Sequence, residues 1–558
     1  MGNCIERPDV VIDLPVNGIS TDISTTTRSN LVFNTTNRDV SDYYEVIKIL
    51  GEGSMGSVSC VRKKENAVGG SAYRESRRGF FGLYRFSHQR KAPESVIKSA
   101  NSKLYALKSI ILSRVSDDFI EELRNEISIL ASLDHPNIVK AYEVYETNVN
   151  IYLLLQNCSG GDLYSRIPYS EKACAKIASK LMSALSHMHK HNVTHRDIKF
   201  ENIMFESKDP DAEIKLIDFG LSRRYSPENK YMNDGVGTIY TMAPQVLQGE
   251  YTSQADLWSI GVVTYMLLSN TKPFYGKKRR HVVAKILQGN FSFYSKMWRS
   301  LSDESKKFVR ALLCVDPSRR LTADQALEHR WLDSQFPLSD RVPKESMLGS
   351  IHDSIIAYSD MSEFKKMALM VIAHQSSTSE IMELRKAFDA YDVANQGTIT
   401  FDEFKSAMKK ANTQHTDDEI EKLFKSVDIG HDNEIYYLEF LAATLSAHGR
   451  INEERLAEAF DRIDSDDKGF ISRENLKEIL GTDYSKEKVD QYMQEADFLG
   501  DNKISFEEFV KFFQADQMQQ VRAFRLDESN SASSNSLSVE PENDSSASVP
   551  VPEHLLHE

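Results

Sequence analysis

No apolar run in the 558 residues approaches the roughly 18 that a membrane-spanning helix needs, so no such helix is expected. A secretory leader is not expected either, because the opening residues are polar and the only charges near Met1 are Glu6 and Arg7. Cysteine is scarce. The five present, Cys4, Cys60, Cys158, Cys174 and Cys314, are odd in number, scattered and without metal-ligand spacing. Neither a disulfide framework nor a zinc site is indicated, and the reducing cytoplasm is the expected location. A basic excess is also missing. The net charge is −14, and residues 380–515, with 17 Lys/Arg against 31 Asp/Glu, account for all of it. An acidic balance confined to one segment argues against nucleic acid as a partner and for a cation-binding module.

A hydrophobic content of 41% with 27% charged residues is ordinary for a soluble chain, and the length exceeds what one core can bury. Residues 1–41 are rich in Ser, Thr and Asn, and residues 516–558 are acidic and Ser-rich; both read as disordered tails. Between them, residues 44–60 read as strand, glycine-rich turn and strand. Residues 62–103 interrupt with a basic insertion of 11 Lys/Arg against 3 Glu, and a strand resumes at Leu104. Apolar residues at Phe119, Ile120, Leu123, Ile127 and Leu130 predict a helix over 117–133. Helical patterns dominate from Leu181 to Trp331, and a linker follows. Beyond it Asp392, Asp428, Asp464 and Asp497 open similar loops at near-constant intervals, the mark of a repeat.

Leu50-Gly51-Glu52-Gly53-Ser54-Met55-Gly56-Ser57-Val58 sets three glycines in the first turn, where missing side chains let backbone N–H groups approach phosphate oxygens. Alone, such a hairpin is equally a turn with no ligand. Order and spacing add the rest. Tyr105-Ala106-Leu107-Lys108 puts a lysine on a strand, and Glu126 lies on the following helix, so an ion pair could hold the amine at the α- and β-phosphates. His195-Arg196-Asp197-Ile198-Lys199-Phe200-Glu201-Asn202 follows, and then Asp218-Phe219-Gly220. In phosphoryl transfer Asp197 would accept the acceptor hydroxyl's proton, Asn202 and Asp218 would hold magnesium, and Lys199 would neutralise the transferring group.

With these residues, 42–332 resembles a eukaryotic protein kinase domain of the calcium/calmodulin-dependent type. Leu133-Asp134-His135-Pro136-Asn137-Ile138-Val139, Gly160-Gly161-Asp162-Leu163, the segment Asp256 to Gly261 and Asp316-Pro317-Ser318-Arg319-Arg320 extend the likeness. It implies a bilobal α+β fold that takes ATP and Mg2+. The nucleotide would meet Leu50, Gly51, Gly53, Gly56, Val58, Ala106, Lys108, Glu126, a gatekeeper Leu155, hinge residues Gln156 to Cys158, and Asp162. Lys199 and Gly237-Thr238 favour serine or threonine as acceptor. Three residues depart from the pattern: Gln245 for a glutamate that would pair with Arg320, Phe200 for a proline, and Arg330 for a proline. Gln245 motivates a rival reading, a calcium-binding scaffold with an impaired kinase domain. In the segment 218–244, Glu228 or Asp234 is expected to supply the anion that Arg196 needs.

An EF-hand loop places oxygen ligands at positions 1, 3, 5, 9 and 12, a backbone carbonyl at 7, a glycine at 6 and an apolar residue at 8. All four loops keep the last, as Ile399, Ile435, Ile471 and Ile504. The second loop offers Asp428, Asp432 and Glu439, and the fourth Asp497, Asp501, Ser505 and Glu508; these rank first for Ca2+. The third has Asp464, Asp466 and Ser472, with Lys468 at position 5 and Asn475 at 12. The first, with Ala394 and Gln396 at positions 3 and 5, reads as structural. The four loops predict an all-α calmodulin-like domain over 379–515.

Residues 347–374 read as one amphipathic helix with a small basic face at Lys365 and Lys366, inside a junction of 333–378. The order kinase, junction, four EF-hands resembles the calcium-dependent protein kinases of plants and protozoan parasites. That resemblance implies protein substrates and a junction that restrains the kinase until calcium rearranges the EF-hands; a monomer is expected, although no motif bears on oligomeric state. Met1-Gly2-Asn3-Cys4 resembles the start of dually acylated proteins, which predicts myristate on Gly2, palmitate on Cys4 and membrane association, although Glu6 stands where that motif prefers Ser or Thr.

Overall fold

The computed structural model describes residues 31–36, 39–64, 103–226, 228–335, 337, 345–410, 415–445, 451 and 453–514. Gly2, Cys4, nearly all of the basic insertion and the acidic C-terminal stretch lie outside the described residues.

The N-lobe is a six-stranded sheet in the order β1-β5-β6-β4-β3-β2. Its strands are β1 (Phe33–Thr36), β2 (Tyr44–Glu52), β3 (Gly56–Lys63), β4 (Leu104–Ile111), β5 (Ala141–Glu146) and β6 (Asn150–Gln156). β2 to β6 pair antiparallel; β1 joins the edge of β5 in parallel, Phe33 opposite Glu143. This strand falls within the stretch 1–41 expected from the sequence to be disordered. Just before it, Leu31 packs into the core of the EF-hand module and Val32 into the core of the kinase lobes.

Helix α1 (Asp117–Ser132) lies between β4 and β5; Ser116 caps its start by accepting from the Phe119 N–H, and Asp117 and Asp118 favour the positive end of its dipole. Its buried face, Leu123, Glu126, Ile127 and Leu130, repeats at helical spacing. The large lobe is built around α2 (Glu171–Lys190) and α3 (Gln254–Ser269), both buried over most of their length, with α4 (Arg279–Gln288) near the surface. One apolar core runs through both lobes, with Trp258, Trp298 and Trp331 fully buried in it.

The junction differs from the single helix expected. It is two helices, α5 (Glu345–Ser359) and α6 (Glu363–Gln375), broken at Asp360-Met361-Ser362, with Ser362 at the N-cap position of the second. Lys365 and Lys366 are no solvated basic face. They are 4% and 7% exposed: the Lys365 ammonium lies over the rings of Phe512 and Phe513, and that of Lys366 over Tyr358. Cation–π attraction and, for Lys365, a hydrogen bond to the Phe513 carbonyl at 3.3 Å offset the burial of charge. α6 is thus packed within the EF-hand core, next to Phe440, Leu456 and Tyr492.

The EF-hand module begins with α7 (Thr378–Tyr391), whose capping box joins Ser377 and Glu380. The loops pair as their apolar eighth positions predict, Ile399 opposite Ile435 and Ile471 opposite Ile504 in short antiparallel ladders. The module docks on the kinase lobes. Gly397, at φ +81°, sits so close to His135 that a Cβ there would lie 2.1 Å from the ring. Arg462 reaches Glu143 of β5 at 2.7 Å, and Asp134 accepts from the Leu438 N–H at 2.7 Å.

Candidate active site and calcium loops

β3 and β4 set the upper half of the site. Their register places Val58 opposite Lys108, and Ala106 faces Leu155 on β6. In the glycine-rich turn the Gly53 N–H donates to the Gly56 carbonyl at 2.8 Å. Gly56 cannot carry a side chain, since a Cβ would fall 1.8 Å from the Ser109 carbonyl oxygen. Around Gly51 the space is open to 4 Å, and Leu50 beside it is exposed, so the backbone presents itself to the cleft. Lys108 Nζ donates to both oxygens of Glu126 at 2.7 Å, the ion pair expected from the sequence.

The lower half comes from the segments after α2. Asp197 is buried, and its carboxylate is held from three sides. Lys199 Nζ donates to Oδ2 at 2.6 Å, Thr238 Oγ1 donates to Oδ1 at 2.7 Å, and Asn202 Nδ2 donates to the Asp197 carbonyl at 2.8 Å and to Oδ2 at 3.1 Å. Burial pushes the carboxyl up, yet the hydrogen bonds from Lys199 and Thr238 outweigh it and hold the group below its ordinary value. Asp218 is exposed to the cleft at φ +61°. A Cβ on Gly220 would sit 3.4 Å from Asp218 Oδ1 and 3.6 Å from Glu126 Oε2, so the two carboxylates meet around one point. The Ile217 N–H donates to the Asn202 carbonyl at 2.9 Å, tying the Asp218 segment to the Asp197 segment. Lys108, Glu126, Asp197, Lys199, Asn202 and Asp218 therefore line one cleft. Phe219 is fully buried against the His195 ring, 4.9 Å between centroids.

At the back of the cleft Gln156 ends β6 and Cys158 follows it; burial raises the Cys158 thiol to about 12. Asp162 caps the short helix Leu163–Arg166 through the Ser165 N–H at 3.1 Å. Asp256, on α3, has a role that sequence reasoning left unassigned. Its carboxylate accepts from the His195 N–H and the Arg196 N–H at 2.9 Å each, locking Arg196 at φ +70°. A non-glycine residue at that angle is strained and needs such an anchor.

The departures from the kinase pattern are accommodated. Gln245 Oε1 accepts from Arg320 at 3.2 Å, and the carbonyls of Gln254 and Cys314 take the other guanidinium hydrogens at 2.5 to 3.0 Å. Burial lowers Arg320 to about 10. Phe200 is buried with its ring 4.8 Å from Tyr164, and Trp331, next to Arg330, donates to Glu171 at 2.9 Å. Arg196 finds its anion in Asp234, at 3.2 Å, and Arg223 pairs with the same carboxylate at 2.7 Å.

Each EF loop is regular in form. The first-position aspartate accepts from the N–H groups four and five residues on: Asp392 from Gln396 and Gly397, Asp428 from Asp432 and Asn433, Asp464 from Lys468 and Gly469, Asp497 from Asp501 and Asn502. Asn433 and Asn502 take the sixth position at φ +65° and +62°, a left-handed turn that asparagine tolerates in place of glycine. Glu439 accepts from the Tyr436 N–H at 2.8 Å, and Glu508 from the Ser505 N–H at 2.9 Å. Burial and then the charge of Asp432 push Asp428 up, which is the electrostatic stress a bound dication would relieve. In the third loop Lys468 Nζ pairs with Asp466 at 2.5 Å, and Asn475 Nδ2 faces Asp466 at 3.3 Å while its oxygen accepts from Ser472. An ammonium and an amide amine thus occupy the oxygen ligands there. Among the described residues no group of three His, Cys, Asp or Glu is gathered as a metal cage, and no helix is long and apolar enough to cross a membrane.

Comparison with known families agrees. Residues 94–332 match the protein kinase domain family, and residues 381–445 and 453–514 each match the EF-hand domain pair. Calcium-dependent protein kinase 29 of Arabidopsis thaliana is 37% identical over 422 residues, 74% of this chain and 77% of that protein. The chain belongs to the calcium-dependent protein kinase family. Calcium-dependent protein kinase 5 of Plasmodium falciparum (isolate 3D7) is 33% identical over 427 residues, 75% of each chain. Calcium-dependent protein kinase 2 of Arabidopsis thaliana is 38% identical over 322 residues, and there the match spans about half of the relative's length, 49%. The kinase-domain match starts at residue 94, inside the insertion, so the glycine-rich turn and its strands rest on the geometry above.

Proposed function

We propose that this chain transfers the γ-phosphoryl group of ATP to serine or threonine hydroxyls of proteins, under calcium control. The observation that carries the reading is the convergence of the Lys108–Glu126 ion pair with Asp218 and with an Asp197 held by Lys199, Asn202 and Thr238. Asp197, kept ionised, orients the acceptor hydroxyl and takes its proton. Lys199, 2.6 Å from Asp197, is placed to neutralise charge on the group in transit. Asn202 and Asp218 would hold magnesium, which supplies charge neutralisation on the phosphates. The carbonyls around Arg320 weigh against the impaired-scaffold reading, since they and Gln245 Oε1 give its guanidinium acceptors without a carboxylate.

Calcium control is supported by the clasp on α6. The junction lies within the EF-hand core, where the Lys365 ammonium donates to the Phe513 carbonyl at 3.3 Å. Calcium in the second and fourth loops would favour this arrangement; the third loop, filled by Lys468, and the ligand-poor first would hold none. Gly2 and Cys4 are proposed as acylation sites, a reading that flotation of a Gly2→Ala variant with liposomes tests.

Radiolabelled phosphate transfer to a serine peptide, with and without calcium, tests the function. Transfer that needs calcium and falls at least about a hundredfold in Asp197→Asn is expected. Calcium binding with no transfer would restore the scaffold reading.

A further inference from the structure

The module carries the chain's acidic excess, whereas the large lobe carries an exposed run of the opposite sign that the proposed chemistry does not use. Lys277, Lys278, Arg279 and Arg280 follow one another into α4, and all four are exposed. Among the described residues none of them forms an ion pair, and the first turn of α4 contains no acid. The run works against its own helix, because cations are unfavourable at the positive end of a helix dipole and repel one another. Fold stability gives no reason for it.

The base beneath these cations is firm. Phe274 stacks on the buried Trp258, 5.4 Å between ring centroids, and a Cβ on Gly276 would lie only 2.7 Å from the Cβ of His281. Tyr275 projects 68% exposed, with the Lys285 ammonium 4.1 Å from its ring centre. The inner end of the stretch touches the catalytic rim. Lys272 Nζ lies 3.9 Å from the centre of the Tyr240 ring, and the Tyr240 hydroxyl donates to Glu201, two residues beyond Lys199, at 2.7 Å. A positive band therefore runs outward from the catalytic loop along residues 272–285.

We propose that this band selects acceptor segments flanked by acidic side chains, whether aspartate, glutamate or phosphoserine. The proposal rests on the kinase reading and names its substrate class. A substrate held with its hydroxyl at Asp197 must leave the cleft on one side past Tyr240 and Lys272, and its flanking charges then meet the four unpaired cations. An anionic lipid surface has the same charge, but the tie from Lys272 through Tyr240 to Glu201 places the band at the acceptor's exit and favours a peptide.

Three serine peptides decide the matter: one neutral, one with three aspartates before the serine and one with three after it. With calcium, one of the acidic peptides is expected to exceed the neutral one roughly tenfold in kcat/KM, mainly through KM, the sum of several weak exposed pairs. The preference should fade at high salt. In the variant Lys277→Gln, Lys278→Gln, Arg279→Gln, Arg280→Gln it should vanish, with the neutral peptide unchanged. Equal use of all three peptides, or a variant that lowers all three alike, overturns the proposal. So does a variant that loses only flotation with phosphatidylserine vesicles, which would make the band a lipid contact. Fluorescence anisotropy of the same peptides reads the selection even with no turnover, so failure of the kinase reading stays distinct from failure of this one.

Discussion

Arg385, on the first EF-hand helix, forks onto Glu206 of the large lobe at 2.8 and 3.1 Å, with both side chains almost wholly buried. Glu206 also meets Lys215 at 3.2 Å and accepts from Gln156, the last residue of β6, at 3.1 Å, so one carboxylate joins the EF-hand module to a central strand of the N-lobe sheet. Bidentate geometry and the Tyr437 hydroxyl on Arg385 Nε, at 3.2 Å, are what make so dry a pair tolerable. Arg385→Met should cost the docked state roughly 3 kcal/mol, the low end for a severed buried pair because Lys215 still faces Glu206. The check is a calcium titration of activity, whose midpoint should move to higher calcium, repeated with Glu206→Gln to close a double-mutant cycle.

Asp234 joins Arg196 and Arg223, the task that a phosphate on this loop would otherwise perform. Protein made in bacteria and shown by mass spectrometry to lack loop phosphate should be active with calcium. Asp234→Asn should lower kcat about tenfold, since a partly exposed charge-assisted bond contributes about 1.5 kcal/mol. Calcium binding to the EF-hands should not change.

Gln245 leaves its Nε2 buried without an acceptor among the described residues. Gln245→Glu removes that orphan donor and gives Arg320 a carboxylate, so it should stabilise the kinase domain by about 1 to 2 kcal/mol. A thermal midpoint higher by a few degrees is the expected result, and a lower one would mean that the surrounding carbonyls already satisfy Arg320.

Two lysines at the docked face resist charging. Lys103 donates to the Gln375 carbonyl at the end of α6, and burial lowers its pKa to about 7. Lys140 lies over the Tyr437 ring, and burial lowers it to about 8. The undocked protein, with both lysines in water, binds more protons above pH 7, so docking should strengthen as pH rises from about 7 toward the ordinary lysine value near 10.5. The gain is at most about 1.4 kcal/mol per pH unit for each lysine. Hydrogen exchange in α2 at pH 7 and pH 9 measures it; Lys103→Met and Lys140→Met should each flatten the difference.

The catalytic half of the site was legible because each part of phosphoryl transfer sits in a contiguous motif, from Gly51 to Asp218. The EF-hand pairing was legible from one isoleucine per loop. The docked face was not. Arg385 and Glu206 are separated by 179 residues, and each reads alone as an ordinary surface charge. Lys365 and Lys366 misled for the opposite reason, since helical spacing gave them a polar face and only the aromatic rings of Phe512, Phe513 and Tyr358 explain their burial. The break in the junction did leave a trace, as Ser-Asp-Met-Ser ending in a residue suited to start a helix. Periodicity on either side concealed it.

β1 has a practical corollary. Trimming the protein at residue 42, where the kinase motifs suggest a clean start, would strip the outer rail from β5 and bare a row of unsatisfied backbone amides and carbonyls. Such a shortened product should self-associate through that rim and shed the Leu31 rivet between its two halves, so an insoluble or calcium-blind fragment would say little about the intact molecule.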